Sequence, residues 1–121
     1  MKMFVLALSA LLLVGCSGRF DKTELIGNYV LNVGPGEDVI ELKDDGTYVH
    51  TFQGKDTKKE MGAGTWELED SEGGQTVLNN FQPLPGEQTR GRGFYFLRNK
   101  RFFGKIRLMT YVDLNEYYEK Q

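Results

Sequence analysis

The chain has almost no cysteine and almost no histidine: one of each, Cys16 and His50, in 121 residues. With a single thiol it forms no internal disulfide, the usual support of small exported domains, so stability rests on an apolar core. A zinc centre of the usual kind needs several histidines, cysteines or carboxylates converging, and one imidazole does not supply it. Nucleophile–base catalysis would fall to His50 alone, and no glycine-framed serine elbow is present. Gly62-Ala63-Gly64 precedes a strand pattern rather than a helix, so it does not read as a phosphate loop. Glu67 and Glu69 are spaced like a carboxylate pair, but they alternate with Trp66 and Leu68 and so are expected to point into water. Together these absences argue against an enzyme and against a metal or organic cofactor. Net charge is also small: a formal value of −2 gives no general attraction to nucleic acid. No tract after residue 16 shows sustained helical apolar periodicity, and there is no internal repeat or low-complexity segment.

What is present begins at the start of the chain. Lys2 is followed by an apolar stretch from Phe4 to Val14, broken only by Ser9. A secretory signal has this form, a basic start and an apolar run of about 7–15 residues. The run is too short for a membrane-spanning helix, which takes about 20 residues. Polarity returns at once with Ser17, Arg19, Asp21 and Lys22. The run closes on Leu13-Val14-Gly15-Cys16.

That tetrapeptide resembles the lipobox of bacterial lipoprotein precursors. The resemblance implies a diacylglycerol on the Cys16 thiol, cleavage between Gly15 and Cys16, and an acyl chain on the new amino group. Each buried methylene contributes about 0.8 kcal/mol, so two or three chains anchor stably where one does not. Ser17 after the cysteine favours the outer membrane if the host is Gram-negative. The expected organisation is a signal peptide over residues 1–15, a lipidated tether over 16–22 and a single domain over 23–121, placed in the cell envelope.

Within that domain the apolar residues alternate. Tyr29, Leu31 and Val33 mark a first strand, ended by Gly34-Pro35-Gly36. Ile40 and Leu42 mark a second, and Asp44-Asp45-Gly46 is a hairpin signal because its positive φ angles suit Asp and Gly. Residues 47–52 form a third, 64–69 a fourth and 76–81 a fifth. Pro83, Pro85 and Gly86 predict a longer loop to about Arg92. Phe94-Tyr95-Phe96-Leu97 is apolar on both faces, so it is either covered twice or exposed on one side. A turn near Asn99-Lys100, a strand over 102–112 and a last strand over 116–120 complete the pattern. The fold class is therefore all-β, an antiparallel up-and-down meander of about eight short strands. With 15 glycines the chain suits turns better than helices. Closure into a barrel would remove exposed edges; a β-sandwich of similar strands is the alternative.

Gly27-Asn28-Tyr29, after a helical turn at 21–25, is similar to the Gly-x-Trp start of lipocalins. Asp45-Gly46-Thr47-Tyr48 with Gly64-Thr65-Trp66 resembles small bacterial lipocalin-like lipoproteins. The resemblance implies a small lipocalin-like barrel. Such a barrel is just wide enough to fill with side chains or to hold one small ligand. Tyr29, Tyr48, Phe52 and Trp66 are the candidate ligand-lining residues, and Phe81, Phe94 and Phe96 join them as expected core. His50 shares a face with Tyr48 and Phe52 and reads as an interior wall residue.

One asymmetry stands out. Arg90, Arg92, Arg98, Lys100, Arg101, Lys105 and Arg107 fall in one segment with no acid between Glu87 and Asp113, interleaved with phenylalanines. Arg98, Arg101, Lys105 and Arg107 are the candidate surface for an anionic partner such as lipid headgroups, polysaccharide or an acidic envelope protein. The alternative is that these charges coat neighbouring strands and pair with Glu37, Asp38, Glu41, Glu67, Glu69 and Asp70. Two functions remain: a membrane-anchored envelope lipoprotein of non-enzymatic binding or structural role, or a lipocalin-like carrier of a small apolar ligand. An internal void of ~300 Å³ or more, the low end for ligand pockets, would favour the carrier. Cys16→Ser is expected to abolish incorporation of labelled fatty acid and leave the precursor uncleaved; unchanged membrane retention would sink the lipoprotein reading.

Overall fold

The computed structural model describes residues 20–34, 36–55, 58–70, 74–81, 93–110 and 115–121. A short helix α1 (Lys22–Leu25) precedes strands β1 (Gly27–Leu31), β2 (Gly36–Leu42), β3 (Thr47–Gly54), β4 (Glu60–Glu69), β5 (Gln75–Phe81), β6 (Gly93–Phe102), β7 (Lys105–Met109) and β8 (Tyr117–Lys120). Each strand pairs antiparallel with the next, and β8 pairs back onto β1, closing a barrel. The closing seam sets Tyr29 opposite Lys120 and Leu31 opposite Tyr118. A closed barrel leaves no sheet edge for another chain to add to.

Alternation sends one side of each strand inward. Tyr29, Ile40, Leu42, Leu97, Leu108 and Tyr118 are buried and join one core cluster. Because consecutive strands reverse direction, the β2–β3, β4–β5 and β6–β7 turns lie at one end together with α1 and the last residues of β8. Contacts hold that end shut. The Tyr29 hydroxyl donates to the Leu25 carbonyl at 2.7 Å, and the Lys120 ammonium donates to the Glu24 carbonyl at 2.6 Å. Both carbonyls belong to the last turn of α1, where helical partners run out. Trp66 Nε1–H donates to the Lys43 carbonyl at 2.8 Å, while the Lys22 ammonium lies 5.2 Å above the indole.

Two expectations need correction. The turn after β6 falls at Phe103-Gly104, not near Asn99-Lys100, and β7 is Lys105–Met109 rather than a strand over 102–112. Asn99 keeps the parity of Leu97 and is buried, where the Thr76 hydroxyl donates to its Oδ1 at 2.6 Å. The polar Asn-Lys pair imitates a turn, but the Asn99 side chain faces inward, where its Oδ1 is bonded to Thr76 and its Nδ2 has no partner among the described residues. Phe96 is not core; it points outward and is 43% exposed, because Leu97 and Tyr95 fix the opposite face as the inner one. The long loop after β5 and the aromatic ring of Phe94 lie outside the described residues and side chains.

Gly64 shows how closely the wall is packed. It pairs with Tyr48, whose ring crosses it so that the Tyr48 hydroxyl donates to the Asn79 carbonyl of β5 at 3.2 Å. A Cβ at Gly64 would collide with the Asn79 carbonyl and come within 2.8 Å of the Tyr48 ring. Gly64→Ala is therefore expected to destabilise the barrel by about 1–3 kcal/mol, the usual range for overpacking. Urea unfolding checks this; an unchanged midpoint would contradict the packing described.

Candidate functional site

The inner face of the barrel holds a carboxylate. Asp38 has the parity of Ile40 and Leu42 on β2, so it points inward and is 3% exposed. From β3, His50 Nε2 lies 2.7 Å from Asp38 Oδ1, and from β8 the Tyr118 hydroxyl donates to the same oxygen at 3.0 Å. His50 and Tyr118 are as deeply buried as Asp38. A carboxylate accepts but does not donate, so Nε2 carries the proton in this bond. Burying a carboxylate is costly without such donors. The imidazole also stacks on Phe81, with ring centroids 5.2 Å apart and planes 22° from parallel, and Phe81 in turn lies against Tyr95.

This network meets a gap in the wall. The β4–β5 ladder ends at Thr65 and Asn79, and the β5 register shifts between Asn79 and Phe81. Asn80 takes a φ of 60°, the left-handed region that asparagine tolerates better than most residues. The strands part there and leave a recess of about 200 Å³ lined by Tyr48, His50, Gly62, Ala63, Asn80 and Phe81. None of these six is a serine, cysteine, lysine or carboxylate, and the one hydroxyl among them, that of Tyr48, donates to the Asn79 carbonyl. Among the described residues no group of three or more potential metal ligands converges. A shallower groove of about 460 Å³ runs outside the barrel beside α1, between Thr23 and the Asp44-Asp45 turn.

The four candidate lining residues all lie inside: Tyr29, Tyr48, Phe52 and Trp66 are each at most 3% exposed. Of these, Tyr48 borders the recess, whereas Tyr29 and Trp66 spend their polar atoms closing the α1 end. Burial raises two of the buried phenols, the Tyr48 hydroxyl to about 12, and the Tyr29 hydroxyl further with help from the Glu24 charge. Cys16 and the whole leader lie outside the described residues.

The basic residues are partly committed. Arg101 bonds Glu24 at 2.6 Å, and its guanidinium stacks on Phe20 at 4.4 Å. Arg107 bonds Glu119 at 2.8 Å and lies between the rings of Phe102 and Tyr117, while Lys105 reaches Glu119 at 3.5 Å. The Arg101 hydrogen bond holds the Glu24 carboxyl below its ordinary range, and the Arg107 bond does the same for Glu119. Arg98 is exposed and makes no ion pair among the described residues. Glu24 and Glu119, the acids seen to pair with Arg101, Lys105 and Arg107, are not among the six expected. Asp38 in particular is an interior residue rather than a surface partner. The period-2 rule already held that signal, since Asp38 is two residues before Ile40. Tyr118 was likewise legible as inward only once the register of β8 is known.

No protein-family model matches the sequence, and comparison with curated proteins and with solved structures found no similar chain.

Asp38→Ala removes the acceptor shared by two buried donors and is expected to cost about 3–5 kcal/mol, as for breaking a buried pair. Tyr118→Phe is expected to cost about 1–3 kcal/mol. The double variant should cost clearly less than the two added together, because both remove the same bond. Denaturant unfolding of the four proteins measures this cycle; a neutral Asp38→Ala or strict additivity would contradict the network.

Proposed function

We propose that this chain is a lipid-anchored protein of the bacterial cell envelope, with a non-enzymatic binding or structural role carried by the outside of a small lipocalin-like barrel. The anchor reading rests on Leu13-Val14-Gly15-Cys16 behind a short apolar run. The observation that supports the rest is the small size of the interior recess seen among the described residues. The recess at His50 measures about 200 Å³, below the ~300 Å³ at which ligand pockets begin. The aromatic residues that would line a larger pocket fill it instead, with their hydroxyl and indole groups bonded to the barrel's own carbonyls.

A second reading is favoured by one feature, the gap between β4 and β5. It brings the recess to the inner network and is bordered by aromatic rings and an imidazole. A molecule of a few heavy atoms fits such a space; a fatty acid or a porphyrin does not. The carrier alternative thus narrows to a very small ligand.

Native mass spectrometry of the mature chain, purified gently from its host and released from detergent, tests both readings. The expected mass is the polypeptide beginning at Cys16 plus its acyl groups and nothing else. A reproducible extra mass, lost on Ala63→Trp, would establish the carrier instead. A chain with an unmodified Cys16 would contradict the anchor.

A further inference from the structure

The β6–β7 hairpin ends in a feature that the barrel itself does not use. Phe103 is 93% exposed at the tip, and Phe102 beside it is 42% exposed. The two rings meet edge to face with centroids 4.6 Å apart. Phe103 has a φ of 48°, and Gly104 follows at 81°. This turn type favours Asn, Asp or Gly at both positions, and a bulky residue with positive φ is a true outlier. The chain therefore accepts backbone strain to place an aromatic ring in solvent, and gains no internal burial from it. Cations surround the pair: Lys100 and Lys105 are exposed, Arg101 flanks one side, and the Arg107 guanidinium lies 3.9 Å over the Phe102 ring.

Position gives this tip a partner. The first described residue, Phe20, packs under the Arg101 guanidinium two residues from Phe103. Cys16 is four residues before Phe20, and four residues span at most ~14 Å. Phe20, which follows Cys16 by four residues in sequence, and the hairpin tip thus lie at the same end of the barrel. The other described turn at that end, Asp44-Asp45-Gly46, carries acids and no apolar side chain. Only one corner of that end, among the described residues, is built for a surface that is apolar within and anionic at its rim.

We propose that the Phe102-Phe103 tip inserts into the phospholipid interface of the membrane that holds the Cys16 anchor, with Lys100, Lys105 and the flanking arginines against headgroup phosphates. This rests on the anchor reading and deepens it: the lipid chains hold the protein to the membrane, and the tip fixes which way it faces. Aromatic rings with basic neighbours suit that boundary, where an apolar body lies in the acyl region and charge stays in the headgroups. The barrel would tilt so that β6–β7 leads and the Asp44-Asp45 turn stays in water, leaving the His50 recess away from the bilayer.

The test uses the mature lipidated chain, whose Cys16 thiol is blocked, reconstituted in phosphatidylethanolamine–phosphatidylglycerol vesicles. A nitroxide is placed at Phe103→Cys and, in a separate protein, at Met61→Cys, an exposed position on β4 towards the opposite end. Collisions with membrane-soluble oxygen are compared with those of a water-soluble nickel chelate. The oxygen-to-nickel ratio is expected to be several-fold higher at 103 than at 61, and to drop to the value at 61 when Lys100 and Lys105 are changed to Glu. Equal ratios on protein that floats with the vesicles would overturn the insertion and leave the anchor standing. A label at 103 shielded from both reagents would show a protein covering the tip, and would overturn it too. Protein that does not float would overturn the anchor and the insertion together.

Discussion

A carboxylate inside an apolar barrel is tolerable only where donors meet it, and Asp38 is met by two. His50 and Tyr118 bring Oδ1 a bond each, from β3 and from β8. The three residues therefore tie β2 to its neighbour and, across β1, to the strand that closes the barrel. That closing strand has only four residues, and three register pairs join it to β1. Backbone pairing over so short a length is weak by itself, so the interior bond from Tyr118 to Asp38 ties β8 to β2 across that seam, while the Arg107–Glu119 pair outside ties β8 to its other neighbour, β7. The Glu119 carboxyl, held below its usual range, contributes stability above the ordinary carboxylate pKa, and that contribution fades as acid protonates it.

Filling the barrel decides where function can lie. The polar atoms of Tyr29, Tyr48 and Trp66 all serve the wall or the α1 end, and the Thr76 hydroxyl is bonded to the Asn99 Oδ1. The interior space seen among the described residues is a small recess beside His50. The two ends then differ in kind. The α1 end is plugged by Phe20, Trp66 and the helix, and it carries the aromatic-basic hairpin. The recess opens through the wall between β4 and β5, where the ladder stops early. On the proposed reading, a large partner would meet the α1 end and a small ligand the recess in the wall.

Much of this was legible from residue order. Alternation in β2, β3 and β4 and the Asp45-Gly46 turn were enough for the meander, because tight antiparallel connections leave few other ways to bury Tyr29, Ile40 and Trp66 together. The errors came where a residue type outweighed parity. Asp38 was read as a surface charge because aspartate rarely lies inside, although Ile40 and Leu42 set its direction. Asn99 imitated a turn for the same reason, and Phe96 was counted as core although Leu97 places it outside. The contact between His50, Asp38 and Tyr118 was not legible. It depends on registers between strands distant in sequence, which no local pattern encodes.

The central claim, that a fixed hydrogen-bond network on Asp38 ties the strands together inside the barrel, is tested most directly at the His50 imidazole. Nitrogen-15 NMR of the folded protein in water should show a single Nε2-bound proton, shifted downfield by its bond to Asp38 and exchanging slowly with solvent. An imidazole proton that exchanges as fast as in a short peptide would contradict the account, because it would place His50 in open water rather than in the core.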